Sequence, residues 1–209
     1  MPPESKLTLQ NAIDDLYQRA RRDKATTSTA RLRVLAEVCV QELTERGLDK
    51  AQIDPEIPGF ARAKDWDVAW LHNGKARVAV SLKSLLTNLG GTVPNRIDDL
   101  IGEAANLQMY SPETAIGYVV VFNVEEDGLS RKHGCTWSDL FRSRLQSISG
   151  RKAPHWTMGT IEAAAFVEVD FTNGPKLVSG GNEVTRMMDI LVKLVRERNP
   201  DLARREASQ

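Results

Sequence analysis

The stretch "DVAWLHNGKARVAVSLKS", residues 67–84, reads as two short strands folded back on each other. Apolar runs at 66–71 and 76–82 flank "HNGK". Asn73-Gly74 is a strong hairpin signal, because both residues tolerate positive φ. Strand alternation then sorts the side chains. Val78, Val80 and Leu82 point to one face, and Ala79, Ser81 and Lys83 to the other. In the first strand Asp67 shares a face with Ala69 and Leu71. Asp67, Ser81 and Lys83 can therefore meet at one end of the hairpin.

Upstream of the hairpin, residues 7–21 carry Leu7, Leu9, Ile13, Leu16 and Tyr17 at helical spacing. A second helix is expected from the Ser/Thr-rich "TTSTA", which offers N-caps, through "RLRVLAEVCVQELTERG" to Gly47. Its apolar set is Leu32, Leu35, Cys39 and Leu43. Residues 52–63, with Pro55, Pro58 and Gly59, read as a loop. Downstream, "SLLTNLGGTVP" reads as a loop, and a helix begins near Asn95 and runs through "RIDDLIGEAANLQMY". "AIGYVVVFNV" is a continuous apolar run of strand length. Residues 129–157 read as loop and short helix, "AAAFVEVDF" as a strand and "EVTRMMDILVKLVRER" as a final amphipathic helix. A hairpin, a helix and then a fully apolar strand imply an α/β fold with a mixed central sheet and helices packed on it. There is no GxGxxG and no Walker A loop, so a doubly wound nucleotide-binding fold is not expected.

The 209 residues suffice for one sizeable core. Lys plus Arg number 28 and Asp plus Glu 28, so any case for nucleic-acid binding must rest on local patches. Cys39 and Cys135 have neither metal-ligand spacing nor a disulfide framework. With no signal peptide and no apolar run of bilayer length, a soluble cytoplasmic protein is expected, with no membrane partner.

An aspartate such as Asp67 offers hard oxygen to a divalent metal. A lysine such as Lys83 can orient a water and stabilise developing negative charge. Phosphodiester hydrolysis on this plan needs a second carboxylate, and the strand has Ser81 where one would serve. The next helix offers Asp98, Asp99 and Glu103. Asp99 and Glu103 stand at i and i+4 and share a face. The same residues have a plainer reading: Asp98 and Asp99 suit the first turn of a helix by its dipole, and Lys83 suits a snorkelling strand end.

Taken in order, "DWDVAWLHNGKARVAVSLKS", "NRIDDLIGEAANL" and "AIGYVVVF" resemble the core of PD-(D/E)XK nucleases, and more narrowly type II restriction endonucleases of the XhoI kind. The resemblance covers residues 64–123. It implies a restriction-endonuclease-like core, Asp67 as metal-binding aspartate, Lys83 as catalytic lysine, and Mg²⁺ as cofactor. Ser81 departs from the pattern, which usually has glutamate there. In one group of the superfamily Ser or Thr stands at this position and the glutamate has moved to the next helix. Glu103 fits that arrangement, with Asp99 as the competing choice. A glutamate on the first core helix is a further family feature. Glu37 matches it by distance from Gly47, although the helical wheel turns it away from the Leu32–Leu43 face and brings Glu42 nearer.

The resemblance further implies double-stranded DNA as substrate and a homodimer matched to palindromic sites. Between residues 131 and 155 the segment holds Arg131, Lys132, Arg142, Arg144, Arg151 and Lys152, with His133, Trp137, His155 and Trp156 as further polar or stacking candidates. It reads as a DNA-facing surface or as a solvated connector. In "TNLGGTVPNR", Asn88, Asn95 and Arg96 can meet base edges or phosphates. The expectation is a single endonuclease domain over residues 1–209, with its core at about 29–123, a DNA-contacting region at 124–172 and a C-terminal helix at 182–198 whose apolar residues serve core or interface. The expected function is a type II site-specific deoxyribonuclease of a restriction-modification system. The alternatives are a catalytically inactive DNA-binding protein on a nuclease fold, and a repair or phage-defence nuclease.

Overall fold

A computed structural model of the protein describes residues 6–22, 28–154 and 156–202. His155 and residues 26–27 of the expected second helix lie outside the described residues. The helices are α1 (Leu9–Tyr17), α2 (Ser28–Arg31), α3 (Arg33–Glu45), α4 (Leu89–Tyr110), α5 (Trp137–Ser147) and α6 (Glu183–Arg198). The strands are β1 (Gln52–Ile53), β2 (Glu56–Ile57), β3 (Lys64–Asp65), β4 (Val68–His72), β5 (Lys75–Leu85), β6 (Ala115–Asn123), β7 (Leu129–Ser130), β8 (Cys135–Thr136), β9 (Ala163–Asp170) and β10 (Lys176–Ser179). A six-stranded mixed sheet in the order β1-β4-β5-β6-β9-β10 forms the centre. β5, β6 and β9 run parallel, and the outer pairings are antiparallel.

The hairpin forms as the sequence predicts. Asn73 and Gly74 both take positive φ, 51° and 73°, the turn that matches strand twist. Alternation along β5 separates two cores. Val78, Val80 and Leu82 pack with α1, α3 and α6 on one face. Ala79, with Tyr118 and Phe122 of β6, packs under α4 and α5 on the other. β6 is buried along its whole length, as expected of a central parallel strand. In α6, Val184, Met187, Met188, Leu191 and Val195 are all buried, so its apolar stripe serves this core.

Several boundaries differ from the expectation. The expected first helix, 7–21, is α-helical only over Leu9–Tyr17 and continues as a π-helical turn, Gln18–Arg22. The second is interrupted at Leu32 and ends at Glu45, where Gly47 N–H and Leu48 N–H bond back to the Thr44 and Leu43 carbonyls. α4 begins at Leu89, inside the stretch expected to be a loop. Buried Leu89 and Val93 anchor its first turns, and tertiary packing overrides the poor helix propensity of Gly90, Gly91 and Pro94. Pro94 removes only the backbone bond that would return to Gly90. The 52–63 loop contains β1 and β2, and β10 closes the far edge. These edge strands are too short for alternation to reveal.

Candidate active site

Asp67 lies just before β4, level with Ser81 on the neighbouring strand. Its carbonyl accepts the Asp54 N–H at 3.2 Å, which fixes the backbone. β4 starts at Val68, opposite Val80, so the Leu82 N–H lies beyond the last β4–β5 pair. Asp67 Oδ2 accepts that N–H at 2.7 Å, a short charge-assisted bond. The same oxygen faces Ser81 Oγ at 3.4 Å and Lys83 Nζ at 3.8 Å. Asp67 Oδ1 takes no hydrogen bond from any described residue. The side chains of Asp67 and Lys83 are 18% and 15% exposed, a partly desolvated pair open at one side. Ser81 is fully buried.

Glu103 comes down from α4 onto the same sheet face. Its neighbours Leu100, Ala104 and Leu107 are buried against that face, which leaves Glu103 at the rim, 19% exposed. Its partner is Lys64 of β3, a residue the sequence reading did not single out. Lys64 Nζ contacts Glu103 Oε2, and that oxygen is otherwise buried with no well-aligned donor. The Lys64 ammonium also lies 5.0 Å from the Trp66 ring centre, a cation–π contact. Burial lowers the Lys64 pKa below the usual lysine range; Glu103 and Asp67 oppose that shift and Lys83 adds to it. All four charged groups therefore share one electrostatic neighbourhood. The Tyr118 hydroxyl borders it, buried without a partner among the described residues. Burial raises its pKa; Arg96 opposes the shift, and Glu103, Asp99 and Asp67 add to it.

Lys64 is held by a strap. Asn106 of α4 donates to the Arg62 carbonyl at 2.9 Å and accepts the Ala61 N–H at 2.8 Å. Gly59 lets this strap close: a Cβ there would stand 2.1 Å from Asn106 Nδ2 and 2.5 Å from the Arg62 carbonyl oxygen. Between strap and helix runs a polar cleft of about 360 Å³, lined by Lys64, Glu103, Asp99, Asp98 and Asn106 among others. Asp99 itself faces Arg96 at 2.8 Å on the outer side of α4. Of the two competing carboxylates, Glu103 is thus the one turned toward the Lys64–Asp67 neighbourhood.

Glu37 pairs with Arg33 at 3.0 Å on α3, on the opposite face of the sheet. Among the described residues no three His, Cys, Asp or Glu side chains group closely enough to hold a metal ion. Two carboxylates, Asp67 and Glu103, flank Lys64, and Mg²⁺ needs only one or two when waters and phosphate oxygens complete its shell. Asp67 Oδ1 is a free hard-oxygen donor of the kind Mg²⁺ takes, whereas Glu103 Oε2 is occupied by the Lys64 ammonium. Glu37, across the sheet, is not part of this pair of carboxylates.

The residues expected to meet DNA fall into two groups. Arg131, Lys132 and His133 lie exposed in the turn of the β7–β8 hairpin, and Arg144, Lys152, Asn88 and Asn95 are exposed elsewhere. Trp137 joins two of these regions. Its indole lies over Gly90 at the start of α4, so the 131–137 segment and the "TNLGGTVPNR" segment are neighbours. Arg151 corrects the expectation. It is 3% exposed and pairs with buried Glu162 at 2.8 Å, with its other side on the Pro112 carbonyl. Arg142 is likewise engaged by Glu168 and Glu183 and lies over the Phe166 ring. The 124–172 region also contains β9, a central strand of the sheet, so it is not wholly a surface segment.

No family model matches the chain, and no curated protein does. A solved structure described as the crystal structure of SSO0001 aligns over 91% of this chain and 78% of its own, at 12% identity and a TM-score of 0.16, a likeness too slight to carry an argument. Among the described residues no helix is long and apolar enough to cross a membrane.

Proposed function

We propose that the chain is a Mg²⁺-dependent endodeoxyribonuclease of the type II restriction class, acting on double-stranded DNA as a homodimer, with a restriction-endonuclease-like core. One observation carries the reading. Asp67 and Lys83 pair at one end of the hairpin, Glu103 reaches the same sheet face from a helix, and Lys64, paired with Glu103, lies within electrostatic reach of all three. Ser81 is the small residue beneath them. Asp67 and Glu103 would hold the ion, which when bound activates a water and neutralises charge on the phosphate. Lys83 orients the attacking water and stabilises the charge that develops on the phosphoryl oxygens. The Leu82 N–H keeps Asp67 in place. The Arg131–Lys132 turn and the exposed Asn88 and Asn95 serve the DNA backbone and base edges.

A plasmid digest with Mg²⁺, followed by end mapping, tests this directly. Cleavage at fixed positions is expected, leaving 5′-phosphates as the resemblance implies. Asp67→Ala, Lys83→Ala and Glu103→Ala should each abolish it while DNA binding persists. A fully active Glu103→Ala enzyme would point to Asp99 instead. Glutamate at Ser81 in the Glu103→Ala background should restore cutting if the two positions serve one ion.

The second reading is a DNA-binding protein without catalysis. Each carboxylate has a lysine beside it and no third ligand stands near among the described residues, which favours this alternative. A divalent-ion titration separates the two: a site that takes no ion supports the binding protein.

A further inference from the structure

We propose that Lys64 is a built-in counter-cation that holds the Glu103 carboxylate in the ion-free protein and must swing away for a divalent ion to be bound. The inference rests on the metal-site reading above and adds a residue to it. Lys64 Nζ lies directly on Glu103 Oε2, where a metal ligand bond would form, and that oxygen is buried and has no other good donor. Lys83 does not fill the same role. Its Nζ stands 3.8 Å from Asp67 Oδ2, beyond hydrogen-bond reach, and Oδ1 is left free.

The charges explain why such a residue is needed. Asp67 and Glu103 without cations would be two carboxylates at the edge of an apolar core, each costly to desolvate. Lys64 and Lys83 bring the sum of the four to zero. Adding Mg²⁺ beside an unmoved Lys64 would place two cations on one carboxylate oxygen. Ion binding through that oxygen and the Lys64–Glu103 contact therefore compete. The Lys64 ammonium also lies over the Trp66 ring and the backbone of β3 is anchored to β2, so the side chain can turn within the polar cleft that it and Glu103 line without disturbing the sheet. Once released, its ammonium faces the cleft that a phosphate backbone would enter. Competition lowers apparent ion affinity by the fraction of time Glu103 is free.

The test uses Mn²⁺ and Mg²⁺ titrations by calorimetry on the wild-type protein, Lys64→Gln and Lys64→Met. If Lys64 occupies Glu103 about nine-tenths of the time, both variants bind the ion about tenfold more tightly than wild type. A second measurement needs no variant at Lys64. The ¹³Cε resonance of Lys64 in the wild-type protein should shift with the same midpoint as ion binding, and not at all in Glu103→Gln. Ion binding by the variants alone also supports the proposal. Equal or weaker binding by the variants, with a Lys64 signal that ignores the ion, overturns it and leaves the nuclease reading standing if wild type binds the ion and cuts DNA. No ion binding and no cleavage by any form overturns both.

Discussion

The Lys64–Glu103 contact can be weighed by a double-mutant cycle of Lys64→Met, Glu103→Gln and the pair. Breaking a fully buried ion pair by removing one partner costs about 3–5 kcal/mol, and an exposed pair is worth about 0.2–1 kcal/mol. These side chains are 21% and 19% exposed, nearer the buried limit but wetted on one side. Each single change should therefore cost about 2–3 kcal/mol, roughly 4–12 °C in melting temperature for a chain of this size. Lys64→Met removes the ammonium both from Glu103 and from over the Trp66 ring, so its cost combines the stranded carboxylate with a lost cation–π contact. Glu103→Gln keeps the shape and strands the ammonium. The double variant strands neither charge, so it should cost little more than one single change.

The coupling energy expected at neutral pH is then about 2 kcal/mol. Urea denaturation followed by circular dichroism measures it, provided that all four proteins unfold with one m-value. The coupling should survive added salt, because a pair shielded by protein is screened far less than a surface pair. A coupling below about 0.5 kcal/mol, or one erased by salt, would show a solvated surface contact and refute the reasoning that these groups form one organised site.

Other perturbations follow from the same geometry. Burial raises the Asp54 pKa, with Asp67 adding to it, so the fold carries a penalty for the charged form at neutral pH that is relieved as pH falls through the raised value. Asp54→Asn should thus stabilise at pH 7, with the gain gone once wild-type Asp54 is protonated; a gain that persists in acid would contradict this. Gly59→Ala should cost roughly 1–3 kcal/mol and speed hydrogen exchange at the Phe60 and Ala61 amides, which both bond to Asn106. Arg151→Met should destabilise by about 1–3 kcal/mol, because Arg198 still pairs with Glu162 at 2.9 Å, and on the proposed reading it should leave the salt dependence of DNA binding unchanged. Arg131→Ala with Lys132→Ala should instead leave stability within about 0.5 kcal/mol and, on the proposed reading, lower the salt slope of DNA binding by about 0.9 for each phosphate no longer neutralised. Tyr118→Phe should raise stability by about 1 kcal/mol in thermal melts, because it removes a buried hydroxyl that lacks a partner.

What could be read from sequence was what local geometry decides. The Asn-Gly turn and strand alternation put Asp67, Ser81 and Lys83 on one face without any tertiary information, and all three are there. The start of α4 was hidden because Gly90, Gly91 and Pro94 argue against helix locally, while the reasons for helix, buried Leu89 and Val93, depend on the sheet beneath. Arg151 was misplaced by charge counting. A basic run cannot say which cation is buried, and the only clue was Glu162, eleven residues on, in front of an apolar strand. Lys64 was invisible for a related reason: its partner lies in another element, and no spacing rule links β3 to the middle of α4.

Lys64 also distinguishes the surroundings of a carboxylate at Glu103 from those of one at position 81. Position 81 is fully buried, faces Asp67 across the hairpin and is level with Tyr118 on β6. A glutamate there would add volume under α4 and put a second negative charge beside the first, with Lys83 as the nearest cation. Glu103 sits at the rim, partly wetted, with Lys64 delivered to it by the strap that Gly59 and Asn106 close. On the proposed reading, moving the acid from strand to helix therefore changes more than its address. It couples the carboxylate to a second lysine and to the 59–64 segment. Any substitution that loosens that segment should then alter ion affinity without touching Asp67, Lys83 or Glu103.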